Sequence, residues 1–232
     1  MNKVLSVLVA MVMTMTFAVC CTPDEPVHND DIETEHGYVD LGLPSGTLWA
    51  TCNVGADNPE DYGSYFAWGE TAPKEIYDWK QYKYAVYVDY RYVLTKYCAD
   101  SICGLNGFVD NLTVLEPDDD AAKANWGDHW RMPTREEWVE LLQETTCVWT
   151  ERNGVFGRLF TGLNGNSIFF PVCGFCIDEG HYGEGTGIFW SSTPHADYPV
   201  RAWSLHFDVD EYHVCGTYER SRGQCVRAVR AK

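Results

Sequence analysis

The chain has 232 residues, a net charge of −17, 45% hydrophobic and 14% aromatic residues, and ten cysteines. That length holds one sizeable domain plus tails, and ordinary hydrophobic and charged fractions exclude disorder as the main state. The acidic balance repels phosphate backbones and there is no polybasic patch, which excludes general nucleic-acid binding and electrostatic docking on anionic membranes.

Residues 1–20 open with Lys3 and continue as an apolar run broken by Ser6, Thr14 and Thr16. That is the build of a secretory signal peptide, too short to span a bilayer comfortably and followed by no stop-transfer charges. The run ends at Cys20 and Cys21, where it resembles a bacterial lipoprotein signal. The small residue expected before the cut favours Cys21 as the lipidated residue over Cys20. Residues 21–36 carry Asp24, Glu25, Asp30, Asp31, Glu33 and Glu35 with two prolines, and read as an acidic, solvated tether. Acids soon after the lipidated cysteine resemble the surface-export signal of Bacteroidota lipoproteins. The expected location is therefore the outer membrane, lipid-anchored and outward-facing, with the membrane touched only by the anchor.

From residue 37 the pattern turns apolar and aromatic, and residues 37–232 read as one domain. Residues 38–41 and 47–54 predict strands around a Pro44-Ser-Gly46 turn, and residues 62–68 give another ring-rich strand. Residues 77–97 have no clean period and read as a long excursion. Three acids, Asp118 to Asp120, precede a short helix beginning at Ala121. Thr134 and Glu137 form a capping box, after which Trp138, Leu141, Leu142 and Thr145 make one buried stripe. Asn164-Gly165 predicts a hairpin turn. Residues 202–209 alternate, with Trp203, Leu205, Phe207 and Val209 on one face and Ser204, His206, Asp208 and Asp210 on the other. Two helices, many short strands and glycine-rich loops predict an α+β fold.

Eight cysteines lie in the domain (Cys52, Cys98, Cys103, Cys147, Cys173, Cys176, Cys215, Cys225), and a secreted location permits disulfides without fixing their pairing. The pairs Cys98/Cys103 and Cys173/Cys176 could each close a short loop. Neither a redox nor a zinc-knuckle context surrounds Cys173 and Cys176.

Residues 39–55 (VDLGLPSGTLWATCNVG) look like the opening of the FISUMP domain, the Fibrobacter succinogenes major paralogous domain. The resemblance continues through residues 62–70 (YGSYFAWGE), 130–138 (WRMPTREEW), 161–171 (TGLNGNSIFFP), 190–193 (WSST) and the closing Arg227. It implies a C-type-lectin-like fold, with paired terminal strands, two helices and a long irregular loop region bearing the ligand face. The family has no settled activity, and the function expected here is a binding module for adhesion or recognition of a surface protein or glycan, with no catalysis and no cofactor. In diversified relatives the ligand face lies in the last part of the domain; here that stretch offers His195, Tyr198, Arg201, His206, Asp208, Asp210, Tyr212, His213, Tyr218 and Arg220. A polar, solubilising surface accounts for the same residues.

Two alternatives follow from related domains. A calcium-dependent lectin needs paired carboxylate and amide oxygens, but Glu116-Pro-Asp118 precedes the capping-box helix and reads as a turn. His206, Asp208 and Asp210 on one strand face could hold a metal, which an exposed strand face explains equally well, and no metal is assigned. A formylglycine-generating type of oxidase needs two neighbouring thiols for copper, and Arg220 stands where the partner of a Cys215 or Cys225 thiol is expected. Trp49, Trp68, Trp130, Trp138 and Trp190 are expected in the core.

Overall fold

The computed structural model describes residues 36–232. The signal peptide, the lipidation site Cys21 and all of the tether except His36 lie outside the described residues.

The α+β, C-type-lectin-like expectation is overturned. Strands hold 38% of the structure and helices 11%, so the described residues are β-rich, built from several small sheets with two short α-helices and two single-turn 3-10 helices. Part of the reason lies in the stretch that reads as a long irregular excursion. Within residues 77–97, β4 (Ala85–Val88) and β5 (Arg91–Leu94) pair as a hairpin. Its turn puts Asp89 and Tyr90 at φ 49° and 65°. Hairpin turns of that kind normally advertise themselves by glycine or Asn-Gly, so this one left no mark in the sequence. Further on, β6 (Thr145–Arg152), β7 (Val155–Gly162) and β8 (Ser167–Pro171) form a three-stranded meander. The Asn164-Gly165 turn joins the last two, as its sequence predicts.

Near the start, β1 (Tyr38–Asp40) pairs with β2 (Leu48–Ala50), and β2 also pairs with the final strand β15 (Val229–Arg230). The largest sheet has five strands in the order β13-β12-β11-β14-β3. These are β3 (Tyr65–Phe66), β11 (Gly187–Pro194), β12 (Arg201–Phe207), β13 (Tyr212–Glu219) and β14 (Gln224–Cys225). A small hairpin of β9 (Phe175–Ile177) and β10 (Gly180–Tyr182) follows the meander in sequence.

Both predicted helices form. α1 (Ala121–Trp126) is capped by Asp120, whose carboxylate accepts from the Ala122 and Lys123 N–H groups. α2 (Arg135–Glu144) carries the full capping box, with Thr134 accepting from the Glu137 N–H and Glu137 accepting from the Thr134 N–H. The same Glu137 carboxylate takes two Arg131 N–H groups at 2.6 and 2.5 Å and the Thr47 hydroxyl at 3.0 Å. Burial opposes its charge, but these donors outweigh burial and hold the pKa below the usual glutamate value.

The five expected core tryptophans are all buried. One core gathers Trp68, Trp130 and Trp190; the other packs Trp49 and Trp138 against Phe160, Phe170, Leu205 and Phe207. Arg227 is fully buried, with its guanidinium donating to Asn53 Oδ1 and to the carbonyls of Ala50, Thr51 and Phe169. Its place near the chain end thus ties β8 to the segment after β2. No disulfide stands at bonding distance among the described residues. Among the described residues no helix is long and apolar enough to cross a membrane.

Candidate functional site

The five-stranded sheet decides where the C-terminal candidates stand. Along β12, Leu205 and Phe207 pack into the core that holds Trp138 of α2, and Trp203 lies against Arg135 of the same helix, as the alternation predicts. His206 takes the other face, while Val209, expected with the apolar set, is exposed past the end of the strand. Ser204, expected on the polar face, is instead buried and donates to Gln224 Oε1 at 2.8 Å.

At the β11–β12 end, three candidates come together. The His195 ring stacks on Trp203 with centroids 4.8 Å apart and planes 9° from parallel. The Arg135 guanidinium lies 4.3 Å from the same indole. Tyr198 sits edge-on to His195 at 5.0 Å, and Arg201 lies 5.3 Å over the Tyr198 ring. The Tyr198 N–H donates to His195 Nδ1 at 3.2 Å, closing the turn that brings the two together.

This packing depends on a bulge. Ala202 pairs with Tyr218 and Ser204 with Cys215, so β13 carries one extra residue opposite Trp203. A Cβ on Gly216 would stand 2.3 Å from His195 Cδ2, so only glycine lets the ring lie against β13. Burial lowers the His195 pKa; Arg201 and Arg135 lower it further and Asp197 opposes them.

A cleft of about 400 Å³ opens beside this stack, lined by Arg135, Glu136, Thr193, His195, Asp197 and Trp203. Arg135 Nε has no hydrogen-bond partner among the described residues. Tyr198, 56% exposed, stands next to the cleft. A larger cavity of about 550 Å³ lies between Leu115, Trp130 and Arg230. Three of its charged groups are engaged: Asp120 caps α1, Arg131 binds Glu137 and Lys123 binds Asp128. The smaller cleft is the better candidate because it opens beside the His195–Trp203–Arg135 stack and next to the exposed Tyr198.

The other candidates are dispersed. His206 and His213 pair across β12 and β13, with Tyr218 6.3 Å from His206. Burial lowers the His206 pKa, with His213 adding to the effect, and burial pushes Tyr218 up to about 12. Asp208 accepts from the Asp210 and Glu211 N–H groups, which lowers its pKa and makes it a turn residue. Asp210 is exposed beside it. Tyr212 pairs with Phe207, with Arg158 lying 4.7 Å over its ring. Six residues of strand separate it from Arg201, roughly 20 Å, so the two cannot line one small cleft.

Arg220 is the clear correction. It is 0% exposed, its guanidinium lies 4.4 Å over Trp68, and it donates to the Arg201 and Tyr97 carbonyls at 3.2 and 2.9 Å. A group so placed cannot meet a ligand; it braces the core. Sequence reasoning also passed over Arg135, Glu136 and Asp197 as cleft residues. Arg135 and Glu136 sit in the capping-box helix about sixty positions before Thr193, and only the tertiary fold joins them to the cleft.

No protein-family model, curated protein or solved structure matches this chain.

Proposed function

We propose that this protein is an outward-facing lipoprotein, anchored through Cys21 at the outer membrane, that binds a surface ligand through the cleft beside His195 and Trp203. The observation that carries this reading is the pairing of an open cleft with a His195–Trp203–Arg135 stack. In a chain of net charge −17, Arg135 lines the opening, and Tyr198 and Arg201 adjoin it through the contact of Tyr198 with the lining residue His195. Rings of this kind give large contact area at low entropy cost, and the guanidinium groups select polar or anionic groups. The resemblance to FISUMP sequences supports the same reading, since relatives there place their ligand face in the last part of the domain.

The oxidase alternative is not favoured. Cys215 is on β13 and Cys225 on β14, with β12 and β11 between them, roughly 14 Å across the sheet. Two thiols so far apart cannot hold one copper ion.

The test is a glycan and host-protein array probed with the full chain and with a Tyr198→Ala/Arg201→Ala variant. Binding that falls by about 10–30-fold in the variant supports the cleft. Equal binding by both proteins refutes it.

A further inference from the structure

The far end of the β12–β13 hairpin gathers a second set of side chains that the cleft does not use. His206 and His213 are register partners on antiparallel strands, with ring centroids 5.1 Å apart. The hairpin turn is closed by Asp208, whose N–H donates to the Glu211 carbonyl while its carboxylate accepts from the Glu211 N–H. This fixes Glu211 beside the histidine pair, with a carboxylate oxygen 4.0 Å from His213 Nδ1. One donor atom from each of the three lies within 4.8 Å of the others.

We propose that His206, Glu211 and His213 form a binding site for a divalent transition-metal ion, zinc foremost. Two imidazole nitrogens with one carboxylate suit zinc, copper or nickel, whereas calcium and magnesium require sets made of oxygen. Zinc holds such atoms at about 2.0–2.2 Å, which places tetrahedral ligands about 3.4 Å apart. The three donors must therefore close by roughly an ångström. The Glu211 and His213 side chains are 65% and 45% exposed, so rotation about their own bonds achieves this without moving the strands. His206 is more enclosed, and its Nδ1 is shut off from solvent with no hydrogen-bond partner among the described residues. No protein hydrogen bond to that nitrogen has to be broken for the ring to turn.

Three protein ligands leave a fourth position open to water or to a donor from a bound molecule. The residues differ from those that strand alternation suggested. Asp208 is occupied in the turn, and cross-strand pairing supplies His213 in place of Asp208 and Asp210.

The test uses the full chain purified without a histidine tag. Zinc at about a hundred times its dissociation constant raises Tm by about 5–10 °C, whereas calcium and magnesium leave it unchanged. Cobalt(II) gives tetrahedral visible bands without the thiolate charge transfer that a cysteine site would add. His213→Ala and Glu211→Gln, both at exposed side chains, weaken zinc binding by at least about 10-fold, and Asp210→Asn does not. Zinc binding that persists in His213→Ala/Glu211→Gln, cobalt spectra showing thiolate ligation, or no zinc-dependent rise in Tm would each overturn the proposal.

Discussion

Replacing Arg220 with alanine separates a bracing role from a binding role. The side chain is fully buried and makes two charge-assisted hydrogen bonds, to the Arg201 and Tyr97 carbonyls, while covering Trp68. Each such bond is worth about 1.5–3 kcal/mol, and a desolvated cation over an indole adds about 2 kcal/mol. Part of that is offset because alanine no longer has to hold a charge out of water, an environment that already lowers the Arg220 pKa. The expected net loss is about 3–5 kcal/mol, or roughly 6–20 °C in Tm for a domain of this size. Urea unfolding followed by tryptophan fluorescence measures it directly, since Trp68 lies under the guanidinium. Protein that remains folded should still bind ligand at the cleft. A loss below about 1 kcal/mol together with abolished binding would refute the reasoning and return Arg220 to the ligand face.

Gly216→Ala drives a methyl group into the His195 ring, so cleft binding should fall while stability drops by only about 1–3 kcal/mol; unchanged binding would show that the stack is not needed. Glu137→Ala removes the capping box, the Arg131 pair and the Thr47 bond together, and should cost about 2–4 kcal/mol in urea unfolding, against about 1 kcal/mol for Thr134→Ala. His36 stacks on Trp126 and His195 on Trp203, and burial holds both pKa values below the ordinary histidine value of 6.5. The unfolded histidines thus take up protons that the folded ones refuse. Their effect is absent well above pH 6.5, and stability falls as pH drops through that value. Tm measured from pH 7.5 to 5.5 should decline, and His195→Gln should decline less; parallel curves would count against a buried His195.

Local chemistry was legible wherever a short motif carries its own physics. Thr134 and Glu137 mark the start of α2, Asp120 caps α1, and Asn164-Gly165 turns β7 into β8. The alternation along β12 correctly separates Trp203, Leu205 and Phe207 from His206. The amount of strand was not legible, because the Asp89-Tyr90 turn lacks glycine and β6 begins directly where α2 ends. His195, Tyr198 and Arg201, close in sequence, also come together in the fold. Arg135 was missed because helix and sheet meet only in the fold, and Arg220 was misassigned because a lone arginine in an otherwise polar stretch reads as exposed.

The most direct test of the central claim is binding of the full chain to an array of surface glycans and host proteins, repeated with Tyr198→Ala/Arg201→Ala. Both substitutions adjoin the cleft through the contact of Tyr198 with His195, and neither removes a buried core side chain. The account predicts a defined ligand for the parent chain and a loss of about 10–30-fold in the variant, at unchanged Tm. Ligand capture that survives both substitutions undiminished would contradict it.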